Sequence, residues 1–133
     1  ETSDYVIICL PLNPETLHLI NGDSITQMKP RAHLVNISRG SIVDESAVAD
    51  ALDSGHLAGY AADVFELEDW ALPDRETAID PRFLEPEAPT VFTPHIGSAV
   101  KIVRLEIEHR AACNILQFLR GEKPDGTVNA SAL

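Results

Sequence analysis

Cysteine is scarce in this sequence. Cys9 and Cys113 are the only two among 133 residues, and they do not form a Cys-x-x-Cys pair. The common redox and zinc motifs that are built on paired cysteines are therefore excluded. Both residues lie in apolar runs, so we expect buried free thiols. This cysteine usage fits a reducing compartment, and we expect a cytoplasmic protein.

Basic residues are also few. Lysine and arginine total 10 against 21 aspartate and glutamate, which gives a formal net charge of −11. Because such a surface repels nucleic acid and anionic membranes, we expect neither as a partner. A small anionic ligand is not excluded, since one arginine in a cleft can dominate its surroundings. No apolar run approaches the roughly 20 residues of a membrane span, and no secretory signal pattern is visible.

The hydrophobic content, 44% of the residues, is that of a packed domain. The predicted strands are Tyr5–Leu10, His33–Ile37, Gly59–Val64 and Thr90–Phe92. The predicted helices are Gly22–Met28, which Asn21 or Asp23 can cap, a second helix that Asp44 can cap and that runs to about Ser54, and Ser98–Leu119. Strands that alternate with helices predict an α/β fold with parallel strands joined by crossovers. The continuous apolar run of the first strand favours burial on both faces. In the last helix, we expect the apolar residues Ile102, Leu105, Ala112, Ile115, Leu116 and Leu119 to face inward.

Polar residues follow each predicted strand, and parallel strands place their carboxyl ends at one edge, where ligands bind. The residues beyond the strands are Pro11-Leu12-Asn13, Ser38-Arg39-Gly40, Asp63 with the run to Glu68, and Thr93-Pro94-His95. The planar guanidinium of Arg39 matches a carboxylate or a phosphorus oxyanion in two-point contact, and Gly40 keeps side-chain bulk away. From these residues alone, an anion clamp and a surface arginine in a loop are equally good interpretations.

The other candidate residues are a histidine and several carboxylates. His95 follows a proline and precedes Gly97, and a histidine held this way suits general acid–base chemistry. A carboxylate within reach would orient its imidazole. Asp63 lies among apolar residues, so it should have a hydrogen-bond donor from the protein or from a ligand amide. Two further carboxylates, Glu66 and Asp69, are interpreted as members of a solvated loop.

The remaining histidines, His18, His33, His56 and His109, are interpreted as structural. They show none of the spacings that are typical of metal ligands, so we predict no metal site.

Three motifs in order, NISRGSIVDE, GYAADVFELED and FTPHIGSA, resemble the C-terminal half of the NAD-dependent D-isomer-specific 2-hydroxyacid dehydrogenases. The resemblance runs from about Asp4 to Leu119. It implies the second half of a Rossmann-type doubly wound parallel sheet, followed by a long C-terminal helix. It also implies a catalytic Arg–Glu–His set. Arg39 and His95 match its arginine and histidine, and Glu68, 29 residues after Arg39, matches its glutamate rather than Glu66.

The same resemblance implies which residues contact the cofactor, NAD, with NADP left open because no discriminating segment is present. These residues are the loop Leu10-Pro11-Leu12, the pair Ile37-Ser38, Asp63 (to the nicotinamide amide) and Gly97. Family members usually pair through the cofactor domain, so a homodimer is expected.

A narrower resemblance lies in the loop ELEDWALPDRETAIDP and in the later HIGSAVKIVRLEIE. There the sequence resembles the phosphite dehydrogenases of the family, in which a residue matching Arg104 also supports the site. Phosphite is therefore the first expected substrate. A 2-hydroxy acid of the glyoxylate, hydroxypyruvate or lactate type is the alternative, and a non-catalytic dimerising remnant is a third interpretation.

One departure from the family is plain: no G-x-G occurs anywhere in the sequence. In the family, a G-x-G-x-x-G turn seats the cofactor's pyrophosphate. We therefore expect residues 1–97 to be a partial NAD-binding domain, residues 98–120 a helix that returns toward an absent substrate domain, and residues 121–133 a tail. The abrupt start suggests a fragment, and we expect these 133 residues alone neither to bind NAD tightly nor to turn over.

Overall fold

The computed structural model describes residues 2–128. The chain divides into two compact units, Glu1–His95 and Ile96–Leu133. The strands are β1 (Tyr5–Ile8), β2 (Ala32–Asn36), β3 (Leu57–Ala62) and β4 (Thr90–Phe92), and the helices are α1 (Gly22–Thr26), α2 (Glu45–Asp53) and α3 (Lys101–Leu119). Three short 3₁₀ turns lie at Gly40–Ile42, Glu66–Glu68 and Pro81–Leu84. The predicted division into a cofactor domain, a returning helix and a tail stays a prediction, and residues 129–133 of that tail lie outside the described residues.

The four strands form one parallel sheet in the order β1-β2-β3-β4. The predicted α/β fold with a Rossmann-type parallel sheet is thus confirmed. Its register pairs Ile8 with Asn36, Asn36 with Ala62, and Ala62 with Phe92. The carboxyl ends of all four strands are therefore level, and the loops that follow them leave the sheet at one edge.

The core of the first unit lies on one face of this sheet. Along β2, Ala32, Leu34 and Asn36 are buried while the residues between them are only partly covered. The prediction that the first strand is buried on both faces is wrong, because Tyr5 is 65% and Ile7 57% exposed. A continuous apolar run shows that both faces of a strand tolerate burial, but not that the chain covers both. Cys9 is likewise exposed and Cys113 partly exposed, so neither is the buried thiol that we expected.

The helices α1 and α2 begin at the residues that the sequence indicates. The side chain of Asn21 accepts the backbone N–H of Ser24, and the side chain of Asp44 accepts that of Ala47. These contacts satisfy N–H groups that have no partner inside the helix. After α2 the chain reverses at Gly55, whose φ of 73° favours glycine. Because α2 follows the loop after β2, it starts at the edge of the sheet that carries Arg39.

The long segment between β3 and β4 is anchored rather than loose. Phe83 is 2% exposed and its ring lies 5.5 Å from that of Tyr60. Next to it, the Arg82 guanidinium binds Asp80 at 2.7 Å and Asp50 of α2 at 2.6 Å. The segment therefore holds β4, and with it the loop that leads to His95, against the rest of the first unit.

In the second unit, α3 has no buried residue. The inward-facing stripe predicted for this helix is wrong in this structure, since Ile102 is 74% and Leu119 73% exposed. An apolar stripe predicts that some surface should cover it, but not that the same chain supplies that surface. Among residues 2–128, none of the helices combines the length and the apolar character that crossing a bilayer requires.

Candidate active site

A cavity of about 730 Å³ opens at the carboxyl edge of the sheet, within the first unit. It brings together Arg39, from the loop after β2, Glu68, from the turn after β3, and His95, from the loop after β4. Its apolar wall is formed by Leu12, Pro14, Leu17, Val64, Trp70, Ala71 and Leu72. The three residues singled out as a catalytic set therefore line one space of the size that small-molecule sites usually have.

His95 and Glu68 are in direct contact. The distance from His95 Nδ1 to Glu68 Oε2 is 2.6 Å. Because a carboxylate can only accept, Nδ1 carries the proton and donates it, which leaves Nε2 as the nitrogen for other chemistry. Glu68 is itself held, because its Oε1 accepts the backbone N–H of Phe65 at 2.9 Å. His95 also has a φ of 53°, a conformation that is uncommon for a residue with a side chain.

The guanidinium of Arg39 is held without being neutralised. Its Nη1 donates to the carbonyl of Ser38 at 2.7 Å. In the described part of the chain, no carboxylate lies within ion-pair distance of Arg39, although acidic residues outnumber basic ones. Most of its donors are therefore available to an anion in the cavity.

Gly40 explains how the loop that carries Arg39 comes so close to the turn that carries Glu68. A Cβ on Gly40 would lie 1.9 Å from the carbonyl carbon of Phe65 and 2.2 Å from the backbone nitrogen of Glu66. No side chain can occupy that space, because real non-bonded carbons approach to only about 3.5 Å. The two loops are thus packed backbone against backbone, and the glycine makes room for a neighbouring loop of the protein.

The residues expected to contact NAD are only partly brought together. Leu12 lines the cavity, and the Ser38 hydroxyl donates to the carbonyl of Leu10, which joins the loops after β1 and β2. Asp63 accepts the hydroxyl of Thr93, so the expected protein donor is present. The remaining residues are placed as follows: Pro11 and Ile37 are exposed at the same edge, and Gly97 and Arg104 belong to the second unit.

This edge fits the nicotinamide end of the cofactor. It offers a carboxylate already oriented by a hydroxyl, an apolar cavity wall and level strand ends, which is where nucleotides bind in parallel sheets. The pyrophosphate turn is not among the 133 residues. For metals, no group of three or more His, Cys, Asp or Glu side chains within residues 2–128 is arranged to hold an ion.

Two glutamates that sequence reasoning misjudged or missed lie beneath this site. Glu66, expected in a solvated loop, is 3% exposed, and so is Glu45. Asp69, expected to be solvated as well, accepts the backbone N–H of Ser41 at 2.9 Å. Glu45 had no signal of its own in the sequence, because an acidic residue in the first turn of a helix is ordinary. The prediction of a solvated acidic loop is therefore wrong for Glu66, whereas Asp69 remains partly exposed.

Burial raises the pKa of Glu45 to about 7 from an ordinary value of 4.5, a shift reduced by the N–H of Glu66 and enlarged by the charges of Glu66, Glu76 and Asp80. A raised pKa means that protons bind more tightly in the folded state. Protonation of Glu45 therefore stabilises the folded state. This contribution to the free energy of unfolding is complete below about pH 4.5 and is lost as the pH rises toward 7.

We therefore expect Glu45→Gln to remove this contribution. Over that pH range, the free energy of unfolding of the original chain should fall relative to the variant by up to about 3 kcal/mol. Urea unfolding followed by circular dichroism at pH values between 4.5 and 7.5 measures the difference. Glu87→Gln, at an exposed position, is the control. A difference that does not vary with pH would contradict the expectation.

The parallel sheet, with its cavity at the carboxyl edge, defines a Rossmann-type α/β domain. Residues 1–97 match the family described as D-isomer specific 2-hydroxyacid dehydrogenase, NAD binding domain. The chain belongs to this family of oxidoreductases, which confirms the expected family and its cofactor, NAD.

Individual relatives agree with this result. The glyoxylate reductase of Pyrococcus furiosus is 40% identical over 131 residues, which are 98% of this chain and 36% of the relative. A solved glyoxylate reductase from Paecilomyes thermophila has a TM-score of 0.80 at 29% identity, covering 92% of this chain and 35% of that one. D-mandelate dehydrogenase from Rhodotorula graminis has a TM-score of 0.78 at 31% identity, covering 95% and 35%. The chain thus spans little more than a third of each of these three relatives.

Proposed function

We propose that the complete gene product containing these residues is a D-2-hydroxyacid dehydrogenase that interconverts small 2-oxo acids and 2-hydroxy acids, with glyoxylate-type acids as the preferred substrates. The observation that carries the proposal is the 2.6 Å contact between His95 and Glu68, in a cavity also lined by Arg39. An anion clamp beside an oriented imidazole suits the removal or delivery of a proton at an alcohol or carbonyl oxygen.

In this proposal, Arg39 binds the carboxylate of the acid. Its planar fork can make two parallel hydrogen bonds to both carboxylate oxygens, and no protein carboxylate within residues 2–128 competes for them. Two-point binding fixes the direction in which the neighbouring carbonyl carbon faces. Arg39 would thereby convert charge attraction into orientation of the reacting centre.

His95 then handles the proton through Nε2. In the oxidative direction Nε2 takes the proton from the substrate hydroxyl, and in the reductive direction it returns a proton to the carbonyl oxygen. Glu68 keeps Nδ1 protonated and stabilises the positive imidazolium. The nicotinamide cofactor, when bound, accepts or supplies the hydride. Asp63, Leu12 and the joined loops at Leu10 and Ser38 would hold its nicotinamide end, a role supported by their positions at the edge of the sheet.

Phosphite oxidation, the first expectation from the sequence, becomes the second candidate. Its support is the resemblance of the loop ELEDWALPDRETAIDP to the phosphite dehydrogenases of the family, a loop whose Trp70 and Leu72 line the cavity. The relatives described above favour the 2-oxo acids, because two of the three carry the name glyoxylate reductase. The contribution of Arg104 and Gly97, the homodimer, the cytoplasmic location, the remnant interpretation and the inactivity of the isolated chain stay predictions.

An assay at 340 nm with the complete gene product tests the proposal. We expect NADH or NADPH to be consumed with glyoxylate or hydroxypyruvate, with one 2-hydroxy acid formed per cofactor oxidised. Pyruvate and phenylglyoxylate extend the panel, and phosphite with NAD is assayed for NADH formation. NADH formed only from phosphite would establish the second candidate. Absence of turnover with every acid and with phosphite would contradict both.

A further inference from the structure

A pair of buried glutamates joins the two loops that carry Arg39 and Glu68. The backbone N–H of Glu66 donates to Glu45 Oε1 at 2.9 Å, and the backbone N–H of Glu45 donates to Glu66 Oε1 at 3.3 Å. Each side chain is thus bonded to the backbone of the other residue, and both residues are 3% exposed. Two carboxylates are costly to bury. A pair that serves only to fill space could be apolar at less cost.

His18 brings a third segment to the pair. Its Nε2 lies 2.9 Å from Glu66 Oε1, and its backbone N–H donates to the carbonyl of Ser41 at 2.9 Å. The φ of His18 is 47°, so its backbone adopts an uncommon conformation while making these contacts. The His18 side chain is half exposed and meets the buried pair from the solvent side. One residue therefore contacts both of the loops that the glutamates join.

These contacts surround the places where the site is most sensitive to displacement. Ser41, which lies between Arg39 and Glu45 in the chain, donates its backbone N–H to the side chain of Asp69, the residue after Glu68. The turn that contains Glu66 also orients Glu68, because the Phe65 N–H donates to Glu68 Oε1 at 2.9 Å. A shift of the turn at Glu66–Glu68 would therefore move the carboxylate that orients His95 relative to the guanidinium of Arg39.

We propose that His18, Glu45 and Glu66 form a positioning unit, which sets the separation between the loop that carries Arg39 and the turn that carries Glu68. Within residues 2–128, no hydrogen bond or ion pair joins the side chain of any of the three to Glu68 or His95, so they act through the backbone of the two loops. The inference rests on the proposed function in that Arg39 and His95 must act on one substrate. The mechanical link between the loops is a property of the fold and can be measured without turnover.

The test compares two replacements of Glu66 in the complete gene product. Glu66→Ala deletes the acceptor for the Glu45 N–H, and we expect kcat to fall by roughly 10- to 100-fold, because small misplacements of catalytic groups cost this much. Since the cofactor contacts are elsewhere, the KM for the cofactor should change by less than about threefold. Glu66→Gln keeps an Oε1 that accepts the same N–H, and its kcat should remain within about threefold of the original. Glu87→Ala is the matched exposed control.

Hydrogen exchange of the backbone amides gives a second measurement that needs no activity. In Glu66→Ala, the amides of residues 39–45 should exchange at least about tenfold faster, while those of β2 and β3 remain unchanged. If Glu66→Ala does not fold, Glu66→Asp replaces it, because the shorter side chain keeps the carboxyl group but no longer reaches the Glu45 N–H. We expect the same local loss of protection and the same loss of kcat.

The outcomes separate the inference from the proposed function. If the unaltered protein turns over no acid and no phosphite, the proposed function is overturned. Hydrogen exchange of the amides of residues 39–45 in the Glu66 variants then still decides whether the positioning unit holds the loop that carries Arg39. Unchanged exchange in the alanine and aspartate variants overturns the positioning unit. Equal losses of kcat in Glu66→Ala and Glu66→Gln also overturn it, because the acceptor oxygen would then not be what matters.

Discussion

Replacing His95 by alanine is expected to lower kcat/KM of the complete gene product by about 10²- to 10⁴-fold, the contribution typical of a positioned general acid or base. The imidazole is held by a 2.6 Å contact to Glu68 and supplies the Nε2 that would exchange a proton with the substrate oxygen. Alanine leaves no group at this position that can do so. Initial rates with glyoxylate and NADH, at several pH values, measure the loss.

Arg39→Ala should cause a loss of comparable size, and Arg39→Lys should restore only part of it, since lysine keeps the charge but lacks the planar fork. His109→Ala is the control, because His109 lies on the exposed surface of α3. If His95→Ala or Arg39→Ala kept more than roughly a tenth of the original rate, which is about 1.4 kcal/mol in the barrier, the assigned role would be wrong.

Replacing Gly40 by alanine is expected to be the most destabilising small substitution in the first unit. The added Cβ would meet three backbone atoms of Phe65 and Glu66 at 1.9 to 2.2 Å. Because backbone cannot turn away as a flexible side chain can, the two loops must separate. We expect the free energy of unfolding to fall by about 3 kcal/mol or more, at or above the usual cost of overpacking. Urea unfolding of the chain, followed by circular dichroism, measures it.

Gly22→Ala is the matched control for this experiment. Gly22 opens α1, and a Cβ there would meet nothing within 4 Å. Its effect should stay within about 0.5 kcal/mol, as for other substitutions that touch nothing. In the complete gene product, Gly40→Ala should also lower kcat, because separating the loops moves Arg39 away from Glu68. If the free energy of unfolding of Gly40→Ala lies within about 1 kcal/mol of that of the original chain, the two loops can separate at less cost than their packing implies.

Local patterns in the sequence were enough to predict the order of the elements and the parallel sheet. Alternating strand and helix signals decide the direction of neighbouring strands, since a crossover of this length returns the chain to the same end of the sheet. From that alone, Arg39, Glu68 and His95 had to emerge at one edge. The cap at Asp44 was predicted too, and Asn21 was one of two candidate caps for α1, because capping depends on residues only three positions apart.

Burial was predicted less well, because it depends on what the rest of the chain covers. Tyr5 and Ile7 have the same apolar character as Ile8, but only Ile8 lies on the face that packs into the core. Glu66 was misjudged in the opposite direction. A glutamate in an acidic run reads as solvated, and nothing within a few residues of it indicates that Glu45, 21 positions earlier, provides a partner for its backbone.

The sequence by itself determined the family, the parallel sheet and the three residues that meet at its edge, since motif identity, element order and chain direction are local properties. Only the tertiary structure decided that Glu68 reaches His95, that Arg39 keeps its donors for a ligand, and that Gly40 makes room for the Phe65 backbone rather than for a substrate. Those facts depend on contacts between loops that lie about 25 to 55 residues apart in the chain, and loops so distant are brought together only by the packing of the elements between them.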